Sequence, residues 1–130
     1  MHKSVQSYIR SVLRIVIGFT FCLHGFQKIF GAFGGLGGGR AHFFSMIWTA
    51  GVLETFGGVL ILLGLFTAPV AFLLAGEMAV AYFTSHAPRG FWPNRNGGEL
   101  AVVYCFVFLY LSAAGPGPLS LDRLVRKRAV

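Results

Sequence analysis

Charge is what this chain has least of. Lys, Arg, Asp and Glu make up 12% of its 130 residues, against about a quarter in soluble domains. Apolar residues make up 55%, which excludes a disordered chain and argues against a soluble fold. Cysteine is also scarce. Cys22 and Cys105 lie in separate apolar stretches without C-x-x-C spacing, so both read as small buried packers. A redox pair between the first and last stretches is the alternative this spacing leaves open. No small-x-small site follows the basic, then apolar, N-terminal run, and neither end carries a lipidation motif. The glycines of Gly34–Gly39 follow no strand and form neither G-x-G-x-x-G nor G-x-x-x-x-G-K, which leaves a flexible loop instead of a nucleotide cradle. No H-x-x-x-H or E-x-x-H pair supports a metal centre, and no Ser-His-Asp or Cys-His set supports a nucleophile. No metal is expected.

What is present is four apolar stretches. At 130 residues they make one domain, 1–130, with spans at about 9–30, 44–66, 69–85 and 100–114. A crossing helix needs ~20 residues, so the first two are comfortable and the last two are short. The first is read as a retained span, because the run Ile15–Leu23 continues through His24–Phe30. Thr67-Ala68-Pro69 is too tight for anything but a helical hairpin, with Pro69 in the first turn of the next helix. The architecture expected is an all-α membrane protein: an antiparallel bundle of four transmembrane helices.

The net charge of +7 does not point to nucleic acid, because the cations gather at the ends and in loops. The termini and the tight hairpin hold Lys3, Arg10, Arg14, Arg123, Arg126, Lys127 and Arg128, while the opposite side holds Lys28, Arg40, Arg89 and Arg95. Seven against four places both termini in the cytoplasm. Phe43, Phe44, Trp48, Phe91 and Trp92 then form an outer interfacial belt.

Two spans carry an acid, Glu54 and Glu77. An ionisable group at membrane depth is costly and usually faces a bundle interior or a site. At 100° per residue Thr20, His24, Gln27, Lys28 and Gly31 share one face of the first span. Ala50, Gly51, Glu54, Gly57 and Gly58 form a stripe of small residues around the acid in the second, suited to a closely approaching helix. Depth counting sets these groups with Glu77, His86 and Glu99 around an outward-opening polar pocket. Blander roles exist for each: Glu54 and Glu77 as ion-paired or protonated pins, His24 as a satisfied core histidine, and Lys28 and Arg14 snorkelling to the interface.

The run His24-Gly25-Phe26-Gln27-Lys28-Ile29-Phe30-Gly31 resembles the first-helix signature of the DoxX family of small four-helix membrane proteins. The resemblance continues through Leu53–Thr67, Glu77–Ala81, His86–Trp92 and Asn96–Glu99, and closes on Gly115-Pro116-Gly117-Pro118-Leu119-Ser120-Leu121-Asp122. The family is named for its likeness to the membrane subunit of a thiosulfate:quinone oxidoreductase, and some members are linked to membrane oxidoreductase complexes. The resemblance therefore implies a membrane subunit of a redox complex in the prokaryotic cytoplasmic membrane, with the lipid bilayer and other redox subunits as partners. In that reading Glu77 and Glu54 relay protons or touch a quinone head group, and His24 hydrogen-bonds a quinone carbonyl. Gln27, Lys28, His86 and Glu99 complete the head-group site. The alternative is a non-catalytic scaffold that stabilises a larger complex, with the acids as structural pins.

Overall fold

The computed structural model describes residues 2–36 and 39–129; Gly37 and Gly38, within the glycine-rich loop, lie outside the described residues. Among the described residues there are six α-helices: α1 His2–Phe30, α2 Met46–Leu63, α3 Thr67–Ala81, α4 Pro93–Asn96, α5 Glu99–Ala114 and α6 Leu121–Ala129. Among the described residues there is no β-strand. Ser4–Phe30, Met46–Leu63 and Thr67–Arg89 are long and apolar enough to cross a membrane. The third runs on from α3 through a π turn at Tyr82–His86 and a 3-10 turn at Ala87–Arg89. The shorter apolar helix α5 has 16 residues, about 24 Å at ~1.5 Å per residue.

The chain forms two compact units, Met1–Thr67 with Pro116–Val130, and Ala68–Gly115. In the first, α1 has its polarity turned inside out. It buries Ser11, Arg14, Gly18, Cys22 and Gly25, and exposes Val5, Ile9, Val12, Val16 and Phe19. An apolar outer stripe over a small and polar inner one is the pattern of a helix whose solvent is lipid. α2 lies antiparallel to α1, with Gly18 against Leu62, Cys22 against Gly58, Gly25 against Thr55 and Lys28 against Gly51. A Cβ on Gly58 would stand 2.8 Å from Cys22 Cβ, and one on Gly51 2.8 Å from Lys28 Cβ. The backbones approach this closely because side chains are missing there.

Ser45 caps α2, accepting the Trp48 N–H at 3.1 Å. The helix ends in a Schellman turn: Leu65 N–H donates to Leu60 O at 2.9 Å and Gly64 N–H to Ile61 O at 3.1 Å, with Gly64 at φ 71°. The tight connection thus falls at residues 64–66 and α3 already begins at Thr67, three residues before the hairpin expected at 67–69. Gly64 decides this, because the turn needs left-handed backbone and a Cβ at this position would meet Arg14 Nη1 at 2.8 Å.

Arg14 is fully buried, which corrects the expectation that it reaches for the interface. Its Nη1 donates to Ile61 O and Leu62 O, both at 2.7 Å, its Nε to Pro116 O at 2.9 Å, and its Nη2 to Leu119 O. The guanidinium bonds two carbonyls in the last turn of α2, that of Leu62, which the helix leaves open, and that of Ile61, which it shares with Gly64 N–H; a cation there is also favoured by the helix dipole. Ser11 Oγ accepts the Leu119 N–H at 3.1 Å. Asp122 completes the arrangement: its carboxylate accepts Phe66 N–H at 2.8 Å and Thr67 N–H at 3.0 Å, and its own N–H donates to Gly64 O at 2.9 Å. The segment Pro116–Asp122 is therefore tied to α1, to the end of α2 and to the first residue of α3.

In the second unit the loop between α3 and α5 is organised by Asn96, which is 3% exposed. Its Nδ2 donates to Gly90 O at 2.7 Å and to Tyr82 Oη at 3.1 Å, and its Oδ1 accepts Gly98 N–H at 2.8 Å. Tyr82 Oη donates to Phe91 O, and the His86 Nδ1 lies 3.1 Å from Asn96 O. α5 buries one stripe, Ala101, Tyr104, Phe108 and Leu111, with Tyr104 and Phe108 stacked at 5.9 Å.

Two substitutions test this packing by thermal unfolding of the detergent-solubilised protein. Gly58→Leu forces α1 and α2 apart and lowers stability by about 1–3 kcal/mol, the usual cost of overpacking. Arg14→Lys loses the planar fork that serves four carbonyls, and each lost charged hydrogen bond costs about 1.5–3 kcal/mol. An unchanged melting temperature in either variant contradicts the corresponding contact.

Candidate functional site

The last turn of α1 and the centre of α2 carry a buried ion pair. Lys28 Nζ lies 2.7 Å from Glu54 Oε1 and 2.5 Å from Oε2. The side chain of Glu54 is 3% exposed and that of Lys28 20%, so the carboxylate is enclosed while the ammonium keeps an edge open. Local sequence explains the geometry. Gly51, one turn before Glu54, lets the Lys28 stem lie against the α2 backbone, and the ammonium at the end of α1 suits the negative pole of that helix. Ala41 N–H donates to Lys28 O at 2.7 Å, anchoring the returning loop at the same residue.

One turn back on α1, His24 is half-buried, hydrogen-bonded to the side chain of Gln27, and within electrostatic reach of Lys28. Four of the predicted residues, His24, Gln27, Lys28 and Glu54, are thus gathered in the first unit. The other three lie in the second. Glu77 is half-buried in α3, His86 ends the π turn against Asn96 O, and Glu99 is exposed as the first residue of α5. Lys28 belongs to an ion pair, not to the headgroup layer alone, because Glu54 is within reach and a lone buried carboxylate is expensive.

Chemically, the gathered set comprises an ammonium donor, a carboxyl group able to carry a proton, and an imidazole one turn away. Such a set can hold a carbonyl oxygen and exchange a proton with it. Among the described residues no group of three or more His, Cys, Asp or Glu is arranged to hold a metal ion. Cys22 and Cys105 are both free thiols.

Sequence reasoning did not single out Arg14 as a structural centre, nor Asp122, Tyr82 or Asn96. A signal for Arg14 exists in the spacing Ser11, Arg14, Gly18, which extends the small and polar face of α1 toward its N-terminus. Tyr82 and Asn96 carry no such signal, since they meet only when the loop folds back.

The long apolar helices and the enclosed ion pair define a helical integral membrane protein. The profile of the DoxX family matches residues 9–87, and the chain belongs to that family. It is 43% identical over 130 residues to an uncharacterized protein of Haemophilus influenzae, covering 97% of each chain. An uncharacterized membrane protein of Mycobacterium tuberculosis is 29% identical over 90% of this chain and 81% of that protein. No solved structure matches the chain.

The pair is tested by a double-mutant cycle read as thermal stability. Lys28→Met or Glu54→Gln alone leaves one buried partner uncompensated and costs about 3–5 kcal/mol, less to the extent that Lys28 reaches water. The double variant recovers most of that loss. Additive losses would show that the two side chains do not depend on each other.

Proposed function

We propose that this protein is a membrane subunit of a redox complex, and that the Lys28–Glu54 pair with His24 binds a quinone head group or passes protons to it. The enclosed ion pair carries this reading: an ionised couple kept at membrane depth at a desolvation cost is the kind of group that proton relays use. Quinone reduction consumes protons, and the carboxyl, ammonium and imidazole are suited to donate them and to bond the carbonyl oxygens. Gln27, Glu77, His86 and Glu99 are assigned to the same task as head-group or relay contacts. In this reading α5 is the fourth span of an antiparallel four-helix bundle forming a single domain, and both termini face the cytoplasm of a prokaryotic cell. The excess of Lys and Arg near the termini supports that orientation.

A scaffold role is the second reading. Exposed aromatics in the loops favour it: Phe43 and Phe44 in the first unit, and Phe91 and Trp92 in the second, are each apolar surface for a neighbouring subunit to cover. Gentle extraction of native membranes separates the two. Stoichiometric recovery with flavin-, haem- or iron–sulfur-bearing polypeptides supports the redox reading, and recovery with large non-redox partners supports the scaffold. In the purified redox complex, Glu77→Gln should lower quinone turnover at least tenfold, corresponding to about 1.4 kcal/mol of barrier, while the protein still inserts, assembles and melts near normally. Wild-type turnover, or loss of the folded protein, would remove Glu77 from the reaction.

A further inference from the structure

The C-terminal helix α6 takes no part in the site just described. Leu121, Leu124 and Val125 are 36%, 55% and 57% exposed and fall within one arc of the helix at 100° per residue. Arg123, Arg126 and Lys127 lie on the opposite side, while Arg128, in the last turn, falls on the apolar arc itself. Asp122 is the one acid of the helix. Its carboxylate already accepts two backbone N–H groups, at 2.8 and 3.0 Å, so it is committed to the turn at the start of α6.

Position gives this surface its meaning. Asp122 is bonded to Gly64, Phe66 and Thr67, and Arg14 holds Leu119 just before it. Ser120 Oγ accepts the Arg123 N–H at 3.3 Å, starting the helix there. The first turn of α6 is therefore fastened where one membrane-length helix, Met46–Leu63, ends and the next, Thr67–Arg89, begins. A turn joining two crossing helices stands at headgroup level. A short helix with an apolar stripe and four cations that have no ion-pair partner among the described residues, held at that level, has the chemistry of an interfacial helix.

We propose that α6 lies on the bilayer and binds the anionic phospholipid headgroups of the leaflet at which the α2–α3 turn emerges. Leu121, Leu124 and Val125 dip toward the acyl chains, Arg123, Arg126 and Lys127 engage the phosphates from the opposite side, and Arg128 snorkels up from the apolar arc to the same layer. Four positive charges against none left free favour an anionic lipid surface over a neutral one.

The test is hydrogen exchange of the α6 amides in the full-length protein, reconstituted in discs of phosphatidylcholine and in discs where phosphatidylglycerol replaces part of it. The amides of α1 and α2 report that the fold is intact. Protection of α6 should be greater in the anionic discs and should fall with added salt. The variant Arg123→Gln/Arg126→Gln/Lys127→Gln should lose it by roughly fivefold per cation removed, equivalent to about 1 kcal/mol each. Leu124→Ser/Val125→Ser should weaken it in the same discs. Equal protection in both lipids overturns the proposal. So does protection gained from inorganic phosphate in phosphatidylcholine discs, which would indicate a free-anion site, and so does protection that appears only when another polypeptide co-purifies.

Discussion

A guanidinium withdrawn from solvent and bonded to four main-chain carbonyls holds the first unit together. Arg14 carries a full positive charge into a site where no carboxylate of the described residues pairs with it, and the carbonyl dipoles of Ile61, Leu62, Pro116 and Leu119 take the place of water. Two of those carbonyls end α2, where the helix has acceptors to spare and a negative pole. The same contact fastens the C-terminal segment to α1 across more than a hundred residues of sequence. Gly64 leaves room for the guanidinium, and Asp122, on the far side of the same turn, satisfies the N–H groups that start α3. A buried charge of this kind has a narrow range of acceptable geometries, so it sets the register of α1 against α2.

With that register set, the glycines and the ion pair follow. Gly18, Cys22 and Gly25 meet Leu62, Gly58 and Thr55, and the antiparallel run brings Lys28 to Gly51 and Glu54. Arg14 and Lys28, two of the four cations of α1, have different fates for a physical reason. Arg14 presents a planar fork that several carbonyls can share, whereas Lys28 is a compact charge best matched by one carboxylate. The first is closed off entirely; the second retains an open edge.

The second unit uses neutral groups for the same kind of task. Asn96 bonds Tyr82, Gly90 and Gly98, pinning a loop that runs between two apolar helices without burying a charge. Gly98 is required because a Cβ there would stand 2.8 Å from the Tyr82 ring. Such a network costs less to desolvate than an ionic one and places His86 and the exposed pair Phe91 and Trp92 in a defined loop.

Much of this was legible before any fold was known. The scarcity of charge, the length of the apolar runs and the acid within α2 identify an all-helical membrane protein, because lipid tolerates only segments that satisfy their own backbone. The polar face of α1 and the small-residue stripe of α2 are properties of helical spacing, so His24, Gln27, Lys28 and Glu54 could be named from sequence. Which partner each charge takes could not. Arg14 and Lys28 look alike in a sequence: both are cations on the small, polar side of one apolar helix. Only the tertiary structure decides that one meets spent helix carbonyls and the other a carboxylate, because that choice depends on where α2 ends and where residues 116–122 return. Local periodicity determined the faces; the long-range crossing of helices determined the bonds.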